Sequence, residues 1–187
     1  MPTLIRVELD RAAVGADPFT FVADGEPLPE RGDVVVTLDR LLSEGAALRT
    51  NGRRVGVRLQ PSEAVEGLSD ALADLACVQL VFAKFRDGRP YSSARVLRER
   101  FHYQGEVRAV GEVLRDQAQF MVRCGFDAFE PADGSTAEQW LAATRRYRHV
   151  YQRGSDDRTP IFVERDLAAA GLGHNQPGDV AEPLDAR

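Results

Sequence analysis

Strand-length apolar runs recur along this chain, and most are followed by a segment of helical period. VVVTL (34–38) precedes DRLLSEGAAL (39–48), and VGVRL (55–59) follows the turn dipeptide Asn51-Gly52. Next come a stripe of Val65, Leu68, Leu72 and Leu75, the run VQLVF (78–82), and a helix opened by Pro90 with Tyr91, Ala94, Leu97 and Phe101 on one side. EVRAV (106–110) leads into VLRDQAQFMVRC (113–124), which Gly125 ends, and FDAFE (126–130) leads into a helix over about 136–152. Five strand-then-helix units in succession imply right-handed crossovers and a mainly parallel five-stranded α/β sheet. Periodicity leaves its curvature open between a doubly wound layer and a partial barrel, since eight such units are needed to close one. A partial barrel would expose apolar interior and favour a homodimer.

LIRVEL and FTFVA, around Gly15-Ala16-Asp17-Pro18, read as an N-terminal strand pair within residues 1–33. The βα repeat occupies 34–153. Residues 154–187 turn rich in Gly, Pro, Asp and Ala apart from PIFVERDLAAA, and are expected to be a largely flexible extension. At 187 residues the chain suits one core. The start, MPTLIRVELD, lacks a cationic segment leading into an apolar one, and no apolar run approaches a membrane span, so a cytoplasmic protein with no membrane association is expected.

Charge is uneven along the chain. Residues 84–123 carry nine basic and five acidic side chains, a local +4 within a chain of net charge −5. A positive field of that size in an acidic protein suits a small oxyanion, a phosphorylated ligand or an acidic partner, and not a nucleic-acid backbone. In parallel α/β folds ligands gather at the carboxyl ends of strands. That rule selects the loop Lys84-Phe85-Arg86-Asp87-Gly88-Arg89, the helix start with Ser92, Ser93 and Arg95, and the strand Glu106-Val107-Arg108 ending at Gly111.

An anion cradle there would comprise Gly88, Arg89, Ser92, Ser93, Arg95, Arg108 and Gly111. The alternative for its loop is an ordinary turn in which Arg89 pairs with Asp87. Lys84, the sole lysine, together with Asp87 and Glu106 would be the proton-transfer candidates if this is an enzyme. Glu106 and Arg108 alternate onto one side of their strand, so an interior position would make them a site. Cys77 and Cys124 are expected to be buried thiols. Three scattered histidines make no metal-ligand pattern, and GxGxxG, GxxxxGK[ST] and GxSxG are all missing, so no cofactor is indicated.

The stretch KFRDGRPYSSARVLRERFHYQGEVRAVGEVLRDQAQFMVRCGFDAFE resembles an uncharacterised bacterial family, the domain of unknown function nine hundred and thirty-four. The resemblance runs through Lys84-Phe85, Asp87-Gly88-Arg89, Tyr91-Ser92, Ala94-Arg95, Gly105-Glu106, Arg108-Ala109, Gly111, Asp116-Gln117 and Arg123-Cys124-Gly125, and covers about residues 25–152. It implies a place in assimilatory sulfite reduction, as an oxidoreductase or as an accessory protein beside a sulfite or nitrite reductase subunit. Two other readings stand beside it. One is a barrel-like enzyme using Lys84 and Glu106 on an anionic substrate, and the other is a non-catalytic dimeric scaffold.

Overall fold

A computed structural model describes residues 4–8, 11–156 and 158–171. Three short strands, β1 (Leu4–Glu8), β2 (Arg11–Gly15) and β3 (Phe19–Val22), precede β4 (Asp33–Thr37), α1 (Leu38–Glu44), β5 (Val55–Leu59) and β6 (Leu75–Phe82). Then follow α2 (Arg89–Arg95), β7 (Glu106–Gly111), α3 (Ala118–Arg123), β8 (Ala128–Phe129), α4 (Ala137–Thr144) and α5 (Ile161–Ala169). All eight strands form one sheet in the order β2-β1-β8-β7-β6-β5-β4-β3. From β3 to β8 neighbours run parallel, while β1 is antiparallel to both β8 and β2.

The five expected strands are present as β4 to β8, and the sheet gains three more. The N-terminal pair is corrected. LIRVE pairs with RAAVG and with β8, whereas FTFV pairs with β4, so the two segments expected to pair lie at or beside opposite edges of the sheet. Both segments have strand composition, but local pattern says nothing about which distant edge each will meet.

Curvature follows from where the helices sit. Leu41, Ala94, Leu97, Met121 and Trp140 from the helical segments pack in one apolar cluster with Val34, Val36, Val57, Leu80, Val107 and Phe129 of the strands. Side chains alternating with these, Phe19, Val35 and Cys77, form a separate small cluster on the other face. A doubly wound layer would carry helices on both faces. Here they cover one, and the sheet curls into a half-barrel.

Chain length supports that curl. Seven inter-strand steps of ~4.8 Å would place the edges of a flat sheet ~34 Å apart. Yet β2 and β3 are those edges, joined only by Ala16-Asp17-Pro18. Four Cα steps from Gly15 to Phe19 reach at most ~15 Å, so the edges must be drawn together.

Between β5 and β6 the expected helix is instead two 3₁₀ turns, Val65–Leu68 and Leu72–Asp74. Its apolar stripe is still buried at Val65, Leu68, Leu72 and Leu75. The spacing of three from Val65 to Leu68 and from Leu72 to Leu75 satisfies a 3₁₀ turn as well as an α-helix. The last expected helix stops at Thr144. Of the expected flexible extension, residues 172–187 lie outside the described residues. Ahead of them the Val150↔Pro160 bridge and the Arg123–Asp156 ion pair tie the start of this segment to the body, and α5 follows.

Candidate functional site: the inner face of the half-barrel

Register places one residue from each of seven strands in a row across the helix-free face: Thr37, Arg58, Gln79, Arg108, Ala128, Arg6 and Ala13. Cross-strand partners share a face. Three of the seven are therefore arginines pointing to the concave side. The neighbouring row, Phe21, Val35, Gly56, Cys77 and Glu106, is small at its centre. At Gly56 a Cβ would lie 2.8 Å from the Cys77 carbonyl oxygen, so glycine permits close strand approach there.

Arg108, 0% exposed, is the hub of this face. Its Nε and Nη2 donate to Glu106 Oε1 at 2.9 and 2.6 Å. Nη1 donates to Asp17 Oδ2 at 2.7 Å and Glu130 Oε1 at 3.2 Å, and Nη2 also reaches Asp17 Oδ1 at 3.1 Å. All five N–H groups of the guanidinium thus have acceptors. Arg6 Nε donates to the other Glu106 oxygen at 2.7 Å, and Cys77 Sγ lies 3.6 Å from Oε1. Asp17 comes from the short loop that joins the two sheet edges, so its pair with Arg108 acts as a clasp across the curl.

Electrostatics follow from these contacts. Burial pushes the Glu106 carboxyl upward, but Arg108 and Arg6 outweigh it and hold the group below the usual range. Burial likewise opposes the charge on Arg108, and its hydrogen bonds to Asp17 and Glu106 overcome that and raise its pKa. Burial raises the Cys77 thiol as well, which keeps it protonated and unreactive. Cys124, also buried and unpaired, is pushed up to about 11.

A depressed Glu106 has a consequence for acid stability. Between its folded and unfolded pKa values the unfolded chain binds more protons, so stability rises with pH there. The contribution is complete above the ordinary glutamate value of about 4.3 and disappears as pH falls through the lower folded value. Urea unfolding across this range should show Glu106→Gln less stable than wild type near neutrality, with the gap closing in acid. A gap that does not change with pH would contradict the ionised state of Glu106.

Arg58 differs from its neighbours. Half-buried on β5, it donates from Nε to Gln79 Oε1 at 2.7 Å and lies 3.9 Å above the Phe21 ring. Among the described residues no carboxylate lies within ion-pair distance of it. Burial lowers its pKa, Glu130 raises it in part, and Arg108 lowers it further.

The residues selected from sequence divide between this face and the strand-end rim. Lys84 is exposed there, its carbonyl accepting the Asp87 N–H at 2.9 Å. Asp87 binds Arg89 twice, at 2.6 and 2.9 Å, which is the ordinary-turn alternative. Gly88 caps α2 with φ −83°, an angle open to any residue, and Arg95 pairs with Glu99 one turn along. Ser92 is exposed and Ser93 half-buried on α2. Gly111 meets the end of β6: its φ is +95°, and a Cβ would lie 2.5 Å from the carbonyl oxygen of Phe82, its partner across the strands. Phe85 N–H donates to the Glu112 carboxylate nearby at 2.8 Å.

Thus Gly88, Arg89, Ser92, Ser93, Arg95 and Gly111 lie along the rim and helix side, while Arg108 and Glu106 face the interior. They do not converge on one cradle, and Lys84 does not meet Glu106. Sequence reasoning passed over Arg58, Gln79, Asp17, Glu130 and Arg6. An arginine inside the apolar run VGVRL was the available signal for Arg58.

Fold and site together define a curled α/β half-barrel whose concave face is crossed by an arginine–carboxylate network. The chain belongs to the family described as bacterial protein of unknown function (DUF934), whose model it matches over residues 56–162. No curated protein matches it. None of the described helices is long and apolar enough to cross a membrane.

Proposed function

We propose that this protein is an accessory protein of assimilatory sulfite reduction that holds a small oxyanion on the inner face at Arg58. The observation that carries the binding reading is Arg58 itself: a half-buried guanidinium, fixed by Gln79 and Phe21, with no carboxylate within ion-pair distance among the described residues. Burial lowers its pKa, Glu130 and Asp17 offset this only in part, and a bound anion would add to that compensation. The sulfite context rests on the family resemblance carried by the Lys84–Asp127 motif residues. The arginines at the rim support this binding less well, because Arg89 and Arg95 already hold carboxylates. No observation favours the enzymatic reading over it.

Calorimetric titration with sulfite, sulfate and phosphate tests the site. Wild type should bind at least one of these oxyanions. Loss of a charge-assisted hydrogen bond, worth about 1.5–3 kcal/mol, should weaken that binding by tenfold or more in Arg58→Gln and leave it unchanged in Arg89→Ala. Equal affinity of wild type and Arg58→Gln would remove the assignment. Growth of a deletion strain on sulfate, sulfite or sulfide tests the context separately, and rescue by sulfide alone is the expected result.

A further inference from the structure

We propose that residues 145–153, Arg-Arg-Tyr-Arg-His-Val-Tyr-Gln-Arg, are a docking surface for an acidic segment of a partner protein. This proposal goes beyond the inner-face reading and does not depend on it. Four arginines and no carboxylate occur among these nine residues in a chain of net charge −5, and with Glu164 of α5 set against His149 at 3.0 Å, the charge offered to a partner is that of Arg146 and Arg153. A local positive patch attracts a complementary negative surface.

Composition supplies the second argument. Tyr147 and Tyr151 are 61% and 83% exposed, and Phe162 nearby is 53% exposed. Exposed tyrosine beside arginine is the mixture that dominates binding energy in protein interfaces. Arg146 lies over the Tyr147 ring at 5.7 Å, and Arg153, also exposed, has no partner among the described residues. Neither guanidinium must give up an internal carboxylate in order to bind.

Backbone anchoring is the third. Although the segment is irregular, Gln119 and Arg158 both donate to the Tyr147 carbonyl oxygen at 3.0 Å, and Arg158 also reaches the Arg148 carbonyl. Val150 is buried and accepts the Ile161 N–H at 2.8 Å. The side chains therefore project from a held backbone, which lowers the ordering cost of association. A nucleic-acid ligand is less favoured, because the net acidic chain would repel a polyphosphate over most of its surface.

The test is fluorescence anisotropy with a labelled peptide of alternating glutamate and leucine, run against the full chain at low and high salt. A single-stranded oligonucleotide of equal charge is run in parallel. Wild type should bind the peptide in a salt-sensitive way, and Arg146→Glu with Arg153→Glu should weaken it by about tenfold or more. Tyr147→Ser with Tyr151→Ser should weaken it without changing the salt dependence. These four side chains are exposed, so thermal melting of the variants should match wild type. Absence of peptide binding, equal binding by the charge-reversed protein, or tighter binding of the oligonucleotide overturns the proposal.

Discussion

Arg108→Met is expected to lose about 3–5 kcal/mol of folding stability, the range for breaking a buried ionic cluster from one side. Domains of this kind have about 5–15 kcal/mol in total, so the loss would be visible as a large shift of the urea midpoint. The reasoning starts from the five donors of one guanidinium, which Asp17, Glu106 and Glu130 together occupy. Methionine fills similar volume but donates nothing. Three carboxylates would then share the interior, with Arg6 still bound to Glu106 and Arg58 acting on Glu130 and Asp17 at longer range.

Three further measurements separate this electrostatic cause from simple loss of packing. Carboxylates deprived of their cation should have raised folded-state pKa values, so the deficit of Arg108→Met should shrink as pH falls and they take up protons. Adding Glu106→Gln and Asp17→Asn to Arg108→Met should restore part of the stability at neutral pH, because the repulsion is removed at its source. Arg108→Lys keeps a charge but not the planar fork, and should fall between wild type and Arg108→Met. A pH-independent deficit that the carboxamide changes leave untouched would mean that packing, not charge, is what Arg108 supplies.

This cluster also marks how far the sequence could be read. Strands β4 to β8 were visible because each is a short apolar run bounded by turn residues, and the alternation of Glu106 with Arg108 already put both on one side of a strand. That their side was the interior depended on α1 to α4 packing on the opposite face, which is a tertiary outcome. In the sequence Asp17 is only one residue of a turn, because its partner lies 91 residues away and no local pattern links them. The strand pairing failed for the same reason: FTFV and LIRVE have similar composition, but their neighbours are set by the curl of the whole sheet. Conversely, the rim arginines stand out in the sequence by their number, while Arg89 and Arg95 are paired within their own turns with Asp87 and Glu99. Charge count along a chain does not reveal which charges are already paired.

Trp140→Ala is expected to cost about 3–5 kcal/mol, the range for truncating a large buried aromatic. Helix α4 begins at a capping box, with the Thr136 side chain accepting the Gln139 N–H and Gln139 reaching back to Thr136 N–H. This fixes the first turn and aims the following residue, Trp140, inward. Its ring stacks on Phe129 of β8 with centroids 4.5 Å apart, and it is fully buried. Its Nε1 donates to Ser135 Oγ at 2.7 Å, and Ser135 in turn donates to Asp133. Alanine would leave a cavity between α4 and the β1–β8 part of the sheet, which is also where the antiparallel strands join the parallel ones. Trp140→Phe should keep most of the stacking and lose the indole hydrogen bond, for a cost of about 0.5–1.5 kcal/mol. Thermal and urea unfolding of both variants would check the order. If Trp140→Ala unfolds with wild-type midpoints, α4 is not the element that holds this end of the half-barrel closed.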